Sequence, residues 1–271
     1  MMRDRRRPLA HEQLLAGGVA NAGAVVRRGG HVLRPATQHS GSIQAFLGAL
    51  REAGFAGVPS PDGFADDGRE RLEFIAGDVP VPPYPEWAQS DTALASTAAL
   101  LARMHAAATA FDASGYTWSA ELADPRGGRV VCHNDVCLEN VVFRNGEAVA
   151  LIDFDFAAPG RPIHDVAQFA RMCVPIDDDA NAERLGWRPA DRPARLRLVA
   201  DAFGLDLPLR HLLIERLDDS IAHGGEFVLR RVEAGDPNFT AMWHEMGGME
   251  PFDRRRRWWR AHRKSFLAAL S

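Results

Sequence analysis

The chain has almost no lysine. Lysine and arginine together number 32, and Lys264 is the only lysine among them. The cationic groups available upstream of Lys264 are therefore guanidinium groups, which stay charged and bind oxyanions with two parallel hydrogen bonds. The shortage excludes any mechanism that depends on a lysine ammonium group in the body of the chain.

Cysteine is also scarce, and long apolar runs are absent. The three cysteines are too few and too odd in number for a disulfide framework, so we expect reduced and buried thiols. No apolar run approaches the roughly 20 residues that a membrane-spanning helix needs. The net charge of −4 provides no general attraction to nucleic acid or to an anionic membrane, and we expect neither as a partner.

The N-terminus bears a weak likeness to a secretory signal. The arginines of residues 3–7 precede the fairly apolar stretch 14–26, but Glu12 and three glycines interrupt the pattern. We therefore expect a cytoplasmic protein.

The composition is that of a globular protein, with 46% hydrophobic and 25% charged residues. Four prolines between residues 79 and 85 form a rigid connection. Before it, residues 14–75 have the pattern of a small β-rich lobe with one helix; after it, helical patterns dominate. We predict an N-terminal lobe over 1–77 and a C-terminal lobe over 78–271.

Local patterns predict individual elements within each lobe. The first lobe contains a hairpin turned at Gly29-Gly30, a helix over 43–53 and a short strand over 72–75. Asn145-Gly146 predicts a second hairpin. The elements predicted for the second lobe are a helix over 91–111, strands over 129–132, 140–143 and 148–152, and helices over 164–173, 191–204, 208–234 and 253–270.

Two short motifs carry most of the chemical information. The first, His133 to Asn140, reads H-N-D-V-C-L-E-N, and the second, I-D-F-D-F, starts at Ile152. Apolar strands frame both, so Asp135, Asn140 and Asp153 should converge on one cleft, where charged groups need partners or an ion. A carboxylate that positions a hydroxyl, with an amide and a second carboxylate that hold Mg²⁺, suits phosphoryl transfer.

The two motifs, joined by the hairpin, resemble the aminoglycoside phosphotransferase and choline kinase family. The resemblance is strongest over residues 129–170. It implies an α+β, two-lobed protein-kinase-like fold, with a small β-rich N-lobe and a larger, mostly helical C-lobe. It also implies a Mg²⁺-dependent kinase that moves the γ-phosphate of ATP or GTP to a hydroxyl of a small acceptor, such as an aminoglycoside-like or amino-alcohol compound.

Site roles follow from the resemblance by position. Asp135 corresponds to the catalytic carboxylate, and Asn140 and Asp153 to the Mg²⁺ ligands. Asp155 should lie in the outer shell or on a second metal ion. We interpret His133 as a structural residue beneath the loop, and Asp165 as an acid that binds the loop backbone or caps its own helix.

The nucleotide end departs from the family pattern. Arg34 stands where the family has a phosphate-binding lysine, and Gly17 and Gly18 lie in a segment suited to cover the phosphates. The backbone carbonyl of Glu73 and the N–H of Ile75 would bind the adenine edge.

Four alternatives remain open. Gln44 lies on the helix that should supply an acid for the cation, and this gap, with the missing lysine, allows a nucleotide-binding pseudokinase. A protein kinase would need a glycine where Asp155 stands. A metal-dependent hydrolase could use the three motif aspartates. A zinc site from Cys132, His133 and Cys137 matches no common ligand spacing.

The acceptor pocket should lie against the helical half. A cationic acceptor would need acids there, and residues 177–179 and 218–219 could provide them. A solvated loop and a solvated helix face are the simpler interpretation of these acids. The arginines of 254–257 we interpret as the polar face of an amphipathic terminal helix rather than as a nucleic-acid site.

Overall fold

The N-terminal part of the chain folds into a five-stranded antiparallel sheet, in a computed structural model that describes residues 12–15 and 23–271. The strands are β1 (Glu12–Leu14), β2 (Val26–Arg28), β3 (His31–Arg34), β4 (Pro61–Phe64) and β5 (Glu70–Glu73). Their order in the sheet is β1-β2-β3-β5-β4. Val26 pairs with Leu33 across the Gly29-Gly30 turn, which confirms the predicted first hairpin.

One helix, α1 (Ser40–Glu52), covers this sheet. Its buried face consists of Ile43, Phe46, Leu47 and Leu50, each no more than 1% exposed, as the helical spacing predicted. Gly54 lies just beyond the helix with φ +83° and donates its N–H to the carbonyl of Arg51. That left-handed conformation favours glycine and ends the helix.

The strand β5 begins earlier than the sequence predicted, at Glu70 rather than Leu72. The alternation of a strand places Glu70 and Leu72 on the buried side, at 0% and 7% exposure. The apolar pair Phe74-Ile75, which suggested a longer strand, lies beyond the sheet. The shift puts a buried carboxylate directly opposite Arg34 on β3.

The connection after the sheet docks onto the second half of the chain. Asp78 and Phe143 exchange two backbone hydrogen bonds of 2.8 and 2.9 Å, and Arg144 donates to the carbonyl of Ala76 at 2.8 Å. A Cβ atom at Gly77 would lie 2.5 Å from the carbonyl oxygen of Phe143, so only glycine allows this close approach.

The larger half is mostly helical and carries two short two-stranded ribbons. Strand β6 (Val130–Cys132) pairs with β9 (Ala158–Gly160), and β7 (Val141–Arg144) pairs with β8 (Glu147–Leu151) across the predicted Asn145-Gly146 turn. The helices are α2 (Asp91–Ala108), α3 (Pro162–Cys173), α4 (Asp179–Arg184), α5 (Arg192–Ala202), α6 (Leu207–Glu233), α7 (Pro237–Met246) and α8 (Glu250–Leu270). Together the two halves form an α+β, two-lobed kinase-like fold.

One apolar core runs from α1 through α2 to the helices of the larger half. It includes Phe143 and Phe154 beside the site motifs, and Phe266 and Leu270 on the inner face of α8, all at most 2% exposed. The terminal helix is thus amphipathic, as predicted, but Arg255 of the predicted polar face has a side chain only 12% exposed and pairs with Asp177. No helix within the described residues is both long enough and apolar enough to span a bilayer.

Two of the three acids of residues 177–179 are not solvated as we predicted, and only Asp179 is exposed. Asp177 and Asp178 are only 6% and 7% exposed. Arg255 donates to Asp177 at 2.5 Å, and Arg254 donates to Asp178 at 3.2 Å. Asp178 also accepts the N–H of Asn181 and so caps α4. The arginines of α8 neutralise these acids, a pairing between distant segments that local charge patterns did not indicate.

Candidate active site

The loop between β6 and β7 is held from beneath by one buried aspartate. Asp165, on α3, accepts the backbone N–H groups of His133 and Asn134, both at 2.8 Å, and the Nε2 of His105 at 2.8 Å. Burial acts to raise the pKa of Asp165, but His105, His133 and the backbone donor hold it below its usual range. The carboxylate therefore stays ionised and fixes the start of the loop.

His133 orients the next residue of the loop. Its Nδ1 accepts the backbone N–H of Asp135 at 3.3 Å, so Nε2 carries the proton and donates to the carbonyl of Ile152 at 2.9 Å. Burial lowers the pKa of His133, and its ring packs against Phe154 with 4.4 Å between ring centroids. These contacts match a structural residue beneath the loop.

The three residues of the zinc alternative do not come together. In the part of the chain that the structure describes, His105, Cys132 and Asp165 are the one group of three or more His, Cys, Asp or Glu side chains whose ligand atoms lie within 4.8 Å of one another. Two of these, His105 and Asp165, already bind each other. The geometry gives no support to a zinc site made from Cys132, His133 and Cys137.

Asp135 and Asn140 form a close pair across the loop. The Nδ2 of Asn140 donates to the backbone carbonyl of Asp135 at 2.8 Å and to its Oδ2 at 3.1 Å. Burial raises the pKa of Asp135 to about 8, helped by the charge of Asp153 and opposed by Arg171. The Asp135 carboxyl group is thus a stronger base than an exposed aspartate.

Asp153 follows the end of β8 in a constrained backbone conformation. The N–H of Ile152 donates to the carbonyl of Asn140 at 2.9 Å, which ties the second motif to the first. Asp153 then has φ +63°, in the left-handed region, which costs a residue with a side chain about 1–3 kcal/mol. The turn directs its carboxylate toward the sheet of the smaller lobe.

A single arginine of the smaller lobe binds both acids of the second motif. Arg34, at the end of β3, donates to Asp153 at 2.7 Å and to Asp155 at 2.5 Å. It is only 5% exposed. Burial would lower its pKa, but Asp155, Asp153 and Glu70 raise it above the ordinary value of arginine. The structure therefore brings the predicted phosphate-binding cation and the predicted metal ligands into direct contact.

The acid that seemed to be missing lies on the neighbouring strand. Glu70 of β5 accepts from the Nε of Arg34 at 2.6 Å, and Gln44 of α1 donates to the other oxygen of Glu70 at 3.1 Å. Glu70 is completely buried. Sequence reasoning missed it because the strand was placed over 72–75. A predicted strand that began at Glu70 would have paired this acid with Arg34 on the neighbouring strand.

The charges at this point fit a divalent cation. Glu70, Asp153 and Asp155 bring three carboxylates to one guanidinium group, which leaves a formal charge of −2. Both Asp153 and Asn140 supply oxygen donors, the kind that Mg²⁺ takes in proteins. Burial is the main cause that raises the pKa of Asp153, and repulsion from Asp155 is the second. The positive charge of Arg34 acts in the opposite direction. A bound dication would remove that repulsion.

The remaining predicted nucleotide residues lie apart from these side chains. Glu73 ends β5, where its carboxylate accepts the N–H of Ser60 at 3.1 Å and that bond keeps its pKa low. Ile75 follows in the segment after the strand. Neither lines the cavity described next. Gly17 and Gly18 lie outside the described residues.

A cavity of about 650 Å³ opens beside the two motifs. Asp135, Asn140, Asp153 and Asp155 all line it, on the side nearest the loop. Its volume is within the range of about 300–1,000 Å³ that small-molecule sites have. Apolar side chains on other walls include Phe156, Trp187, Phe227, Phe239, Met242 and Met246. The cavity therefore offers acids and an amide at one end and an apolar surface elsewhere.

Sequence comparisons show which known proteins the chain is similar to. A family model described as "Phosphotransferase enzyme family" matches residues 115–199, which contain both motifs. The trifolitoxin immunity protein of Rhizobium leguminosarum bv. trifolii is 31% identical over 260 residues. That match covers 91% of this chain and 95% of the relative.

Solved structures share the fold at low sequence identity. A choline/ethanolamine kinase family protein from Mesorhizobium loti superposes with a TM-score of 0.63 at 18% identity, covering 96% of this chain and 92% of the other. The GDP complex of wild-type aminoglycoside 2'-phosphotransferase-IIIa has a TM-score of 0.55 at 15% identity, with 92% and 93% covered. At these identities the likeness concerns the fold.

Proposed function

The chain belongs to the phosphotransferase enzyme family, and we propose that it is a Mg²⁺-dependent small-molecule kinase that transfers the γ-phosphate of ATP or GTP to a hydroxyl. The observation that carries the proposal is the convergence of its predicted residues. Asp135, Asn140 and Asp153 line one end of a cavity, and Arg34 reaches Asp153 from the other lobe. We place the boundary between the lobes at residues 77 and 78.

Asp135 is the proposed catalytic carboxylate. It would accept a hydrogen bond from the acceptor hydroxyl and then its proton as the bond to phosphorus forms. Positioning supplies most of the catalysis, because the transition state of phosphoryl transfer is loose. His133 and Asn140 fix the orientation of Asp135. Its raised pKa favours proton transfer from the alcohol.

Asn140 and Asp153 are the proposed Mg²⁺ ligands, with Asp155 in the outer shell or on a second ion. The amide hydrogen bonds of Asn140 both come from Nδ2, so Oδ1 is the atom suited to the metal. A bound Mg²⁺ would neutralise charge on the phosphate oxygens. Arg34 must release at least part of its hold on these acids when the metal binds.

Arg34 would then bind the phosphates, oriented by Glu70. The Nε atom of Arg34 donates to Glu70 on the neighbouring strand, and this hydrogen bond does not involve Asp153 or Asp155. The guanidinium fork can therefore turn from Asp153 and Asp155 to phosphate oxygens while Glu70 holds its stem. Gly17 and Gly18 would cover the phosphates, and the backbone of Glu73 and Ile75 would bind the base.

The acceptor is proposed to be a small hydroxyl compound that enters the cavity from the helical side. Aminoglycosides and amino alcohols belong in a first test because of the structural neighbours. The name of the Rhizobium relative refers to toxin immunity, so toxins with hydroxyl groups belong there too. We propose a cytoplasmic location, where ATP and GTP are available.

Thermal-shift measurements with Mg²⁺ and a panel of nucleotides provide the first test. ATP or GTP should raise the Tm, and less so without Mg²⁺. An acceptor library is then assayed with the better nucleotide by following phosphorylated products. Asp135→Asn is the matched control, since it should keep the nucleotide shift and lose the product. If the wild type shows no nucleotide shift at all, the proposal is wrong.

A nucleotide-binding pseudokinase is the second candidate. The observation that favours it is the engagement of both motif acids by Arg34, at the position the metal would need. Mg²⁺-independent nucleotide binding, with no product from any acceptor, would support this alternative. The presence of Glu70 weighs against a pseudokinase, because β5 supplies the acid that α1 lacks.

A further inference from the structure

The floor of the cavity, beside Asp135, contains a cation that the proposed chemistry does not use. Arg171, on α3, donates from Nε to the Oγ of Ser220 at 2.9 Å, and Ser220 donates to Gln168 at 2.6 Å. Arg171 lines the cavity. It has no ion-pair partner within the described part of the chain.

Two more arginines whose side chains are largely buried line the same cavity. Arg216 is only 4% exposed and pairs with Asp219 at 2.7 Å; Arg255 pairs with Asp177 at 2.5 Å. The Nε atoms of Arg216 and Arg255 are buried, and neither has a hydrogen-bond partner among the described residues. Arg216 also lies 3.7 Å from Glu215, so both of these arginines have carboxylates in contact, whereas Arg171 has none among the described residues.

The charge of Arg171 is unfavourable without a ligand. Burial and the neighbouring charge of Arg255 lower the pKa of Arg171 to about 10, although Asp177 and Asp135 act in the opposite direction. Arg171 nevertheless remains charged at neutral pH. A partly buried cation with no carboxylate in contact is costly, and an anion bound in the cavity would remove that cost.

Most of the acids that could attract a cationic acceptor are paired or peripheral. Glu121 lines the cavity but pairs with Arg231 at 2.7 Å. Glu226 is exposed. Asp177 and Asp219 already bind the floor arginines. Glu139 also lines the cavity and accepts the hydroxyl of Tyr84 at 2.9 Å, and Asp135 is the proposed base. Arg171 is then the cation beside Asp135 that is free to bind a charged group of the acceptor.

We propose that the acceptor is an apolar hydroxy acid, whose carboxylate binds Arg171 at the cavity floor while its hydroxyl faces Asp135. The inference rests on the proposed kinase function and names its substrate class. Phe227, Phe239 and Met242 line the walls and suit an apolar body between the two polar ends. Arg171 then determines specificity, selecting a carboxylate over a neutral or cationic group.

Three probes that share a phenyl ring and a primary hydroxyl test the charge preference. N-benzoylserine carries a carboxylate, N-benzoyl-2-aminoethanol is neutral, and 2-(benzylamino)ethanol is a cation. Binding of each to the Mg–ADP complex is measured by calorimetry and by the Tm shift, and phosphorylation with ATP by mass spectrometry. The wild type should prefer the anionic probe.

Four proteins are compared: the wild type, Arg171→Gln, Arg171→Lys and Arg230→Gln. Arg171→Gln should weaken binding of the anionic probe by about 30-fold or more, as expected when one partner of an enclosed charge pair is removed. It should leave the neutral probe unchanged. Arg171→Lys keeps the charge and should retain part of the preference. Arg230, an exposed arginine lining the same cavity, is the matched control for loss of one positive charge.

Several results would overturn the inference. One is a neutral or cationic probe that binds as tightly as the anionic one, or an anionic probe that does not bind. Another is an Arg171→Gln protein that turns over all three probes more slowly with unchanged binding, which would assign Arg171 to the transferred phosphate. The Tm of each variant without ligand checks folding, and it should not fall in Arg171→Gln because an unpaired buried charge is removed.

The proposed function can fail separately. If the wild type binds no nucleotide, the kinase proposal is contradicted, and the probe comparison is then made with the nucleotide-free protein. If nucleotide binds and the protein phosphorylates the neutral or cationic probe best, the kinase proposal stands and the anionic acceptor is wrong.

Discussion

The two sides of the cleft balance their carboxylates in opposite ways. On the side of the sheet, Glu70, Asp153 and Asp155 share the guanidinium of Arg34 at 2.5–2.7 Å. On the helical side, Asp135 has an amide for a partner, and its pKa rises to about 8. The first group has a negative excess that a metal ion can neutralise, whereas the second is an uncompensated base that faces a cavity.

The difference separates two tasks by their electrostatics. A cluster with a formal charge of −2 and a movable cation is suited to a dication and phosphates. A half-buried carboxyl group without a cation in contact is suited to a hydroxyl, because it can accept the proton of an alcohol near neutral pH. The variants below test whether the two sides act independently.

Asp153→Ala should have the largest effect, since Asp153 binds Arg34 of the smaller lobe and is also a proposed Mg²⁺ ligand. We expect loss of Mg²⁺-dependent nucleotide binding and of turnover, a combined effect of several kcal/mol. Calorimetry with ATP, with and without Mg²⁺, measures the first, and product formation the second. Undiminished Mg²⁺ dependence in this variant would remove Asp153 from the metal site.

Asp135→Ala should reduce turnover by roughly 10²–10⁴-fold, the range for loss of a general base. Nucleotide affinity should stay nearly the same, because Asp135 lies on the other side of the cleft. Steady-state kinetics and nucleotide calorimetry, run on the same preparation, separate these effects. Turnover at the wild-type rate would show that Asp135 is not the base.

Arg34→Ala should weaken binding of ATP by about tenfold or more, as loss of a charge-assisted contact to phosphate does, while adenosine binding changes little. The comparison of ATP with adenosine by calorimetry isolates the phosphate contribution. Equal losses for both ligands would place Arg34 outside the phosphate site.

Glu70→Gln should produce a smaller loss of ATP affinity than Arg34→Ala, since it disturbs only the orientation of the cation. Gln44 lies within 3.1 Å of Glu70, so the chain offers a matched exchange. The double variant Glu70→Gln with Gln44→Glu returns the acid to the helix and should recover part of the affinity. A double variant no better than the single one would contradict a positioning role for Glu70.

A separate expected effect concerns stability and its dependence on pH rather than ligand binding or turnover. The pKa of Asp135 is about 8 in the folded chain, against an ordinary value of 3.8. Between these values the folded state binds more protons than the unfolded state, so this group lowers stability as pH rises from about 4 to 8. The opposite trend, stability rising with pH, holds for an acid whose folded pKa is depressed.

Asp135→Asn lacks this penalty, so its stability relative to the wild type should increase with pH over that interval. Urea unfolding in EDTA at several pH values measures the difference. Asp66→Asn, at an exposed aspartate in the smaller lobe, is the control for loss of one negative charge. A difference between Asp135→Asn and wild type that stays constant with pH would show that Asp135 has an ordinary pKa.

Local patterns were sufficient where the signal depends on neighbours in the chain. The spacing of Ile43, Phe46 and Leu50 predicted the buried face of α1, and Asn145-Gly146 predicted the hairpin that joins the two motifs. Convergence of Asp135, Asn140 and Asp153 was also predicted, because apolar strands on both sides leave them few directions. Short elements were missed: β1, β4, β9, α4 and α7 have few residues and weak periodicity.

Contacts between distant segments were not predictable in the same way. The segment of Asp177 and Asp178, which we expected to be a solvated loop, is a buried ion-pair cluster because α8 packs across it. Arg255 of α8 follows Asp177 by 78 residues in the sequence. Lysine scarcity indicated that arginine must supply the cation at the nucleotide end. It did not indicate which acid orients that arginine.

The sequence by itself determined which side chains can do chemistry and the local frame that presents them, since strand alternation and turn geometry act over a few residues. Tertiary structure alone decided how those charges are balanced. Glu70 meets Arg34 through strand pairing, and Arg171 lies beside Asp135 because α3 packs beneath the loop. Electrostatic energy depends on distance in space, and only the packed fold sets that distance.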